Sequence, residues 1–478
     1  MMMILPEKII DMHVHIFNLK YIPIFGAIKA YAPFIKDAHA KAAEIVLLIA
    51  TGKSRFKELE AFKNMSFEDT RKTIDVKMLE EENDVLAENI VDLLDDHEIE
   101  RLMDEEYFYE AVYDIENDQL DKEIFTVIGG MKSAKQAKAL KLFSIKRKLR
   151  KLIKKIISGF HFLKWFLFMT RSEKKVYEKM KKSYPSVNTF VFHMLDGYHY
   201  FKDSSSAFGN PAYYRIEEQI KRMKKMLDLH TDLIGFLPYN PKRPESLRLI
   251  KKYMNQERFI GVKFYPSFGY KPINDPDEEV NRNNKELFRF CIEYDIPILT
   301  HCTNEGFQAQ PGISGENCNP KYWEELLSIQ EFKNLRICMG HAGGVDGWFD
   351  DFDPDEGEVF TGSEDEAGNI EYPYAKKMYE LCVKFPNVYC EVGFLSHVKN
   401  DGRMENYVKR LQYLFENNNE TYKFSDKVMY GSDWHILYNH GIQYDYDKEY
   451  IGIFNKPVLK EYIENFFNKN AAKFLTMF

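Results

Sequence analysis

Cysteine is scarce in this chain: six in 478 residues, at Cys291, Cys302, Cys318, Cys338, Cys382 and Cys390. None forms a C-x-x-C pair, and most sit in apolar, strand-like runs. This argues against a disulfide framework and points to reduced, buried thiols in a cytoplasmic protein. Charge of one sign is not in excess either. Lys and Arg number 66 against 74 Asp and Glu, a net charge of −8, so no global attraction to nucleic acid is expected. No apolar run reaches the ~18–20 residues a membrane-spanning helix needs. The opening "MMMILPEKII" lacks the basic stretch and apolar core of a signal peptide, and the expectation is a soluble protein. Aromatic residues are what the chain has in quantity, 37 Phe and 30 Tyr, enough for a sizeable core without disulfides.

Near the start stands "KIIDMHVHIFN" (8–18). On a strand, residues i and i+2 share a face, so His13 and His15 project side by side, an arrangement suited to gripping one metal ion. With 13 histidines in the chain, one such pair arises easily by chance. It gains meaning only if other residues converge on it.

From residue 185 onward short apolar runs alternate with amphipathic stretches. The runs are 188–195, 232–239, 259–266, 296–302, 335–344, 387–394 and 427–435. They are nearly continuous in apolar residues, as for parallel strands buried on both faces. Helical spacing shows in 213–227, 245–254, 321–329, 374–385 and 405–418, and 456–475 closes the chain. With 7–17 as the first strand, eight strands alternating with helices predict an α/β fold, a (β/α)8 TIM barrel. An open doubly wound sheet is the alternative, but no G-x-G-x-x-G follows the first strand.

The polar residues fall at strand ends. Strand 1 stops in His13 and His15, strand 4 around Lys263, strand 5 in His301, strand 6 in His341 and strand 8 in Asp433. In a barrel these ends meet at one mouth, where active sites are built.

The pieces "DMHVH", "GVKFYP", "ILTHC", "CMGHAGG", "YGSDWH" and the closing "NAAKFL", in this order, resemble the amidohydrolase superfamily, in the branch of metal-dependent hydrolases that also includes decarboxylases. The resemblance covers residues 4–18 and roughly 185–478. It implies one divalent metal, zinc by preference, held by His13, His15, His301 and Asp433, with a position open for water. Asp433 would also take the water's proton. His341 would stand by the metal and hydrogen-bond the water or the developing oxyanion. Lys263 would face an anionic group of the substrate; a lysine reaching outward to solvent and a carbamylated, metal-bridging lysine are its other readings. Trp434 would line the substrate pocket, against a plain packing role, and Asp11 would orient the strand-1 ligands. The implied activity is hydrolysis of an amide, lactone or ester-type bond in a small molecule. Decarboxylation with the same residues is the alternative, and a non-enzymatic scaffold that binds a partner or membrane is the second.

The barrel does not need the segment between strands 1 and 2. It divides the chain into 1–18, a mainly helical insertion over 19–184, and the rest of the barrel over 185–478. The insertion splits by charge: 78–123 is acidic and 132–182 basic, two arms that can neutralise each other. Within 142–169, Leu142, Ile145, Leu149, Leu152, Ile156, Phe160, Leu163 and Leu167 recur at helical spacing opposite lysines. A cap over the mouth or a homodimerisation arm is the preferred reading, and membrane contact the lesser one. The acidic stretch 343–369 is expected to be a solvated loop. Its proline and glutamates break the D-x-[DN]-x-[DN]-G calcium pattern.

Overall fold

A computed structural model describes residues 4–31, 35–51, 133–158, 168–197, 212–254, 258–355, 359–364, 370–399, 401–417, 419–437 and 445–476, with parts of 91–131. The chain forms two compact units. Met1–Ile16, Tyr177–Tyr200 and Ile216–Phe478 make one; Phe17–Val176 and Phe201–Arg215 make the other.

The first unit holds eight parallel strands: β1 (Ile10–Val14), β2 (Thr189–His193), β3 (Leu233–Tyr239), β4 (Phe259–Phe264), β5 (Ile298–Thr300), β6 (Ile337–Met339), β7 (Val388–Glu391) and β8 (Val428–Met429). Each pairs with the next in chain order. The last also meets the first. The Met12 amide donates to the Tyr430 carbonyl at 3.0 Å, and Val14 bridges to Trp434 in parallel. A sheet that returns to its own first strand leaves no open edge, so the architecture is the expected (β/α)8 barrel.

Burial on both faces explains why the strands read as continuous apolar runs. Apart from Thr189 and Ile260, every residue of the eight strands is buried. One core cluster takes a residue from seven of the strands, including Met12, Val191, Phe236, Leu299, Cys338, Tyr389 and Met429, and is joined by Ala471, Phe474 and Leu475 of the last helix (Asn470–Leu475). Because side chains two apart on a strand share a face, the register that buries Val191, Leu299 and Tyr389 there turns His193, His301 and Glu391 the same way, nearer the C-terminal ends.

The strands stop short of the apolar runs. At strand 6 the reason is conformational: His341, Ala342, Gly343 and Gly344 all take positive φ, from 46° to 93°, which ends the ladder at Met339. The helix Glu278–Glu293 between β4 and β5 was not evident from the sequence. Its buried stripe of Val280, Leu287, Phe288 and Cys291 is thin among polar residues, and Asp277 caps it by accepting the Glu279 amide at 2.9 Å. The closing stretch 456–475 breaks into a 3-10 turn (Lys460–Tyr462), a π turn (Asn465–Lys469) and the last helix.

The acidic stretch after β6 is more than a solvated loop. Trp348, Phe349 and Phe360 are buried. Arg410, itself 1% exposed, donates to the carbonyls of Trp348 (2.5 Å) and Val359 (2.8 Å).

In the second unit the described helices include Ile24–Tyr31, Asp37–Ala50, Asp96–Met103 and Ala134–Ser158. The two charged arms do pair. Lys138 meets Glu100, Lys146 meets Asp96 and Arg150 meets Asp92, all within 2.8 Å. Leu142, Ile145, Leu149 and Leu152 are buried, so this part of the apolar stripe serves packing. Phe160, Leu163 and Leu167, and most of 78–123, lie outside the described residues. Among the described residues no helix is long and apolar enough to cross a membrane.

Candidate active site

The site is built on the seam where β8 returns to β1. Asp11 holds that seam. Its Oδ1 accepts the His13 amide (3.1 Å) and the Ser432 amide (2.9 Å), and its Oδ2 accepts the Ser432 hydroxyl (2.6 Å). Ser432 Oγ in turn accepts the Trp434 amide, and the Asp433 amide donates to the His13 carbonyl at 2.7 Å. Asp433 takes a left-handed backbone (φ 59°) inside this clamp. Asp11 therefore positions the backbones of His13 and Ser432, not the His13 ring. Burial raises its carboxyl to about 7 against the pull of the Ser432 hydroxyl and backbone donors.

Three acceptors converge above the seam. His15 donates its Nδ1–H to the His193 carbonyl (2.9 Å), and His13 its Nδ1–H to Glu391 Oε1 (2.8 Å). The Nε2 atoms of both rings thus face Asp433 Oδ1, at 3.5 Å from His13 and 3.2 Å from His15. Asp433 Oδ1 is buried and receives no hydrogen bond.

His301 and His341 stand together one step away. His341 donates Nδ1–H to the Gly393 carbonyl (3.0 Å) and His301 donates Nε2–H to the Glu305 carbonyl (2.9 Å). Their remaining nitrogens, His341 Nε2 and His301 Nδ1, face each other at 2.9 Å. Burial pushes the His301 ring well below its usual range and His341 down to about 4. The His341 ring centroid lies 4.9 Å from that of His13 and 4.6 Å from that of His301, which links the two groups.

Lys263 lies inside the barrel, 1% exposed, with Nζ 3.2 Å from His13 Nε2. It does not reach outward to solvent. Burial lowers its ammonium to about 8, against the attraction of Asp433 and Glu391. Trp434 is fully buried in the seam, and its carbonyl accepts the His15 amide.

The sequence profile of the amidohydrolase family matches residues 223–476, just over half the chain. The protein belongs to the amidohydrolase family. The match runs from before β3 through β8, so β1 with His13 and His15 lies ahead of it. No curated protein matches the sequence. Among solved structures, an amidohydrolase from Burkholderia multivorans with bound zinc aligns at 8% identity over 65% of this chain and 91% of that one, with a TM-score of 0.41. The 2,6-dihydroxybenzoate decarboxylase from Rhizobium aligns at 12% identity over 64% and 88%, with a TM-score of 0.36. The 5-carboxyvanillate decarboxylase from Novosphingobium aromaticivorans, complexed with manganese, aligns at 15% identity over 64% and 83%, with a TM-score of 0.38.

In this amidohydrolase the donor set fits a divalent metal. Imidazole nitrogen and carboxylate oxygen are borderline ligands. His13 Nε2 and His15 Nε2 crowd the Asp433 carboxylate with Lys263 Nζ beside them, and His341 Nε2 faces His301 Nδ1. Among the described residues two groups bring their ligand atoms close enough to hold an ion, His13–His15–Asp433 and His13–His341–Glu391. His301 falls in neither and is reached through His341.

Two residues of the amidohydrolase site escaped the sequence reading. Glu391 ends β7 and His193 ends β2, each fully or almost fully buried. His193 packs its ring 4.8 Å from that of His13, donates Nε2–H to the Met12 carbonyl (2.8 Å), and leaves Nδ1 buried without a partner. Both stand at ends of runs already recognised as strands. Applying the strand-end rule to all eight runs would have found them.

Proposed function

We propose that this amidohydrolase is a metal-dependent hydrolase that cleaves an amide, lactone or ester-type bond in a small molecule, using one zinc ion held by His13, His15, His301 and Asp433. The observation that carries the reading is the convergence of His13 Nε2 and His15 Nε2 on Asp433 Oδ1, a buried carboxylate oxygen within 3.5 Å of both that accepts no hydrogen bond. Bound there, a divalent metal would supply a Lewis acid and bring the pKa of water toward neutral.

The chain's own residues do the rest. With Asp433 Oδ1 turned to the histidine nitrogens, the second oxygen of the carboxylate takes the proton of the attacking water. His341, held by Gly393 and Glu391, turns Nε2 into the site and hydrogen-bonds the water or the hydrated carbonyl. Lys263 places a buried cation beside them to receive an anionic group of the substrate or the developing negative charge. Trp434 and the barrel wall keep bulk water out of the seam.

The test is a panel of small amides, lactones and esters assayed with metal-loaded protein, beside aromatic and unsaturated carboxylic acids. Turnover of the first set with uptake of water, abolished in His301→Ala, is expected. Release of carbon dioxide from the acids in place of hydrolysis would replace this reading with decarboxylation. A wild-type chain that takes up no metal would overturn both.

A further inference from the structure

Glu391 is fully buried and the proposed reaction does not use it. Its Oε1 accepts the His13 Nδ1–H (2.8 Å) and the His341 amide (2.8 Å), and its Oε2 accepts the Gly393 amide (2.5 Å). Donors occupy both oxygens, which leaves neither turned toward an ion. The backbone is also cut to fit it. A Cβ on Gly431 would lie 2.2 Å from Oε2, one on Gly393 2.7 Å from Oε2, and one on Gly340 3.2 Å from Oε1. Three glycines, at the ends of β6, β7 and β8, thus let the chain close around one carboxylate.

We infer that Glu391 is a positioning residue that fixes His13 in the Nδ1–H tautomer and ties it to the His341 turn, so that both rings aim Nε2 into one metal site. This rests on the metal reading above. Glu391 sits in a group with His13 and His341 whose ligand atoms could hold an ion, but its oxygens are engaged by N–H groups and the His13 nitrogen facing it is the protonated one. It orients a ligand instead of being one. A carboxylate behind a metal-bound histidine raises the basicity of that histidine and locks its ring, and its loss typically costs 10–100-fold in metal affinity.

The experiment is a Zn2+ titration of chelator-stripped full-length protein against a chromophoric competitor, with melting of each metal-free variant followed by circular dichroism. Glu391→Gln is nearly isosteric, but it sets an amide NH2 against an N–H donor. It is expected to weaken Zn2+ binding by at least about tenfold. The second variant, Glu391→Asp, keeps the charge and withdraws it from His13, so it tests the same point if the glutamine variant does not fold. The effect must also run through His13: in a His13→Gln background, Glu391→Gln should change the Zn2+ Kd little. A folded Glu391 variant with wild-type Zn2+ affinity, or the same loss whether or not His13 is present, overturns the inference while wild-type binding leaves the metal reading standing. A wild type that binds no Zn2+ overturns the metal reading itself.

Discussion

His341 Nε2 stands 2.9 Å from His301 Nδ1, and each ring has already given its one proton to a carbonyl on the far side, Gly393 for His341 and Glu305 for His301. Two lone pairs at that distance destabilise the metal-free fold, and a cation bound to the His301 nitrogen would relieve the conflict. Added Zn2+ should therefore raise the Tm. At a hundredfold excess over Kd, mass action supplies ~2.7 kcal/mol, roughly 3–4 °C for a protein of this size. His301→Ala should lose most of that gain while its metal-free Tm stays near or above wild type. Thermal melts with and without Zn2+ check both arms.

Asp433→Asn keeps the shape of the side chain and removes the charge. The amide also places either an NH2 or a weaker acceptor where Oδ1 now faces His13 and His15. If Asp433 takes a proton in the reaction, kcat should fall by about 10²–10⁴-fold. Activity of the metal-loaded variant, with metal content measured on the same sample, is the check.

Lys263 Nζ donates toward the very lone pair, His13 Nε2, that a metal would take. Removing it should relieve that competition. Lys263→Met should bind Zn2+ at least as tightly as wild type, yet raise KM for an anionic substrate several-fold. Loss of metal in this variant, with two ions per wild-type chain, would instead mark a carbamylated, metal-bridging lysine.

Asp11 accepts three hydrogen bonds, from the His13 amide, the Ser432 amide and the Ser432 hydroxyl. Asp11→Ala leaves buried donors without acceptors, each at about 1–3 kcal/mol. A loss of roughly 3 kcal/mol or more is expected in denaturant unfolding. Ser432→Ala removes only the hydroxyl and should cost less, about 1–2 kcal/mol.

Arg410 fastens the loop after β6 through the carbonyls of Trp348 and Val359. Arg410→Met should loosen residues 348–355 and 359–360 without moving the candidate metal site. Faster amide exchange and new proteolytic cuts confined to those residues, with Zn2+ affinity unchanged, are the expected result.

The barrel and much of its mouth are legible in the amino-acid order alone. Parallel strands buried on both faces must be written as apolar runs, so the eight runs were legible. Polar residues at their ends, His13, His15, Lys263, His301, His341 and Asp433, stood out against that background. The helix Glu278–Glu293 was not legible because its apolar stripe is thin, and the loop after β6 looked solvated because its few buried aromatics are scattered among acids. The hydrogen bonding at the mouth follows from the folded arrangement and not from the order of residues. Which nitrogen of each histidine carries a proton depends on the carbonyl or carboxylate behind it, and those partners come from other strands: His193 for His15, Glu391 for His13, Gly393 for His341. Glu391 is 378 residues from His13 in the chain. Strand periodicity places a side chain on a face, but closure of the sheet brings β7 beside β8 and β8 beside β1, and that closure is what brings carboxylate and imidazole together.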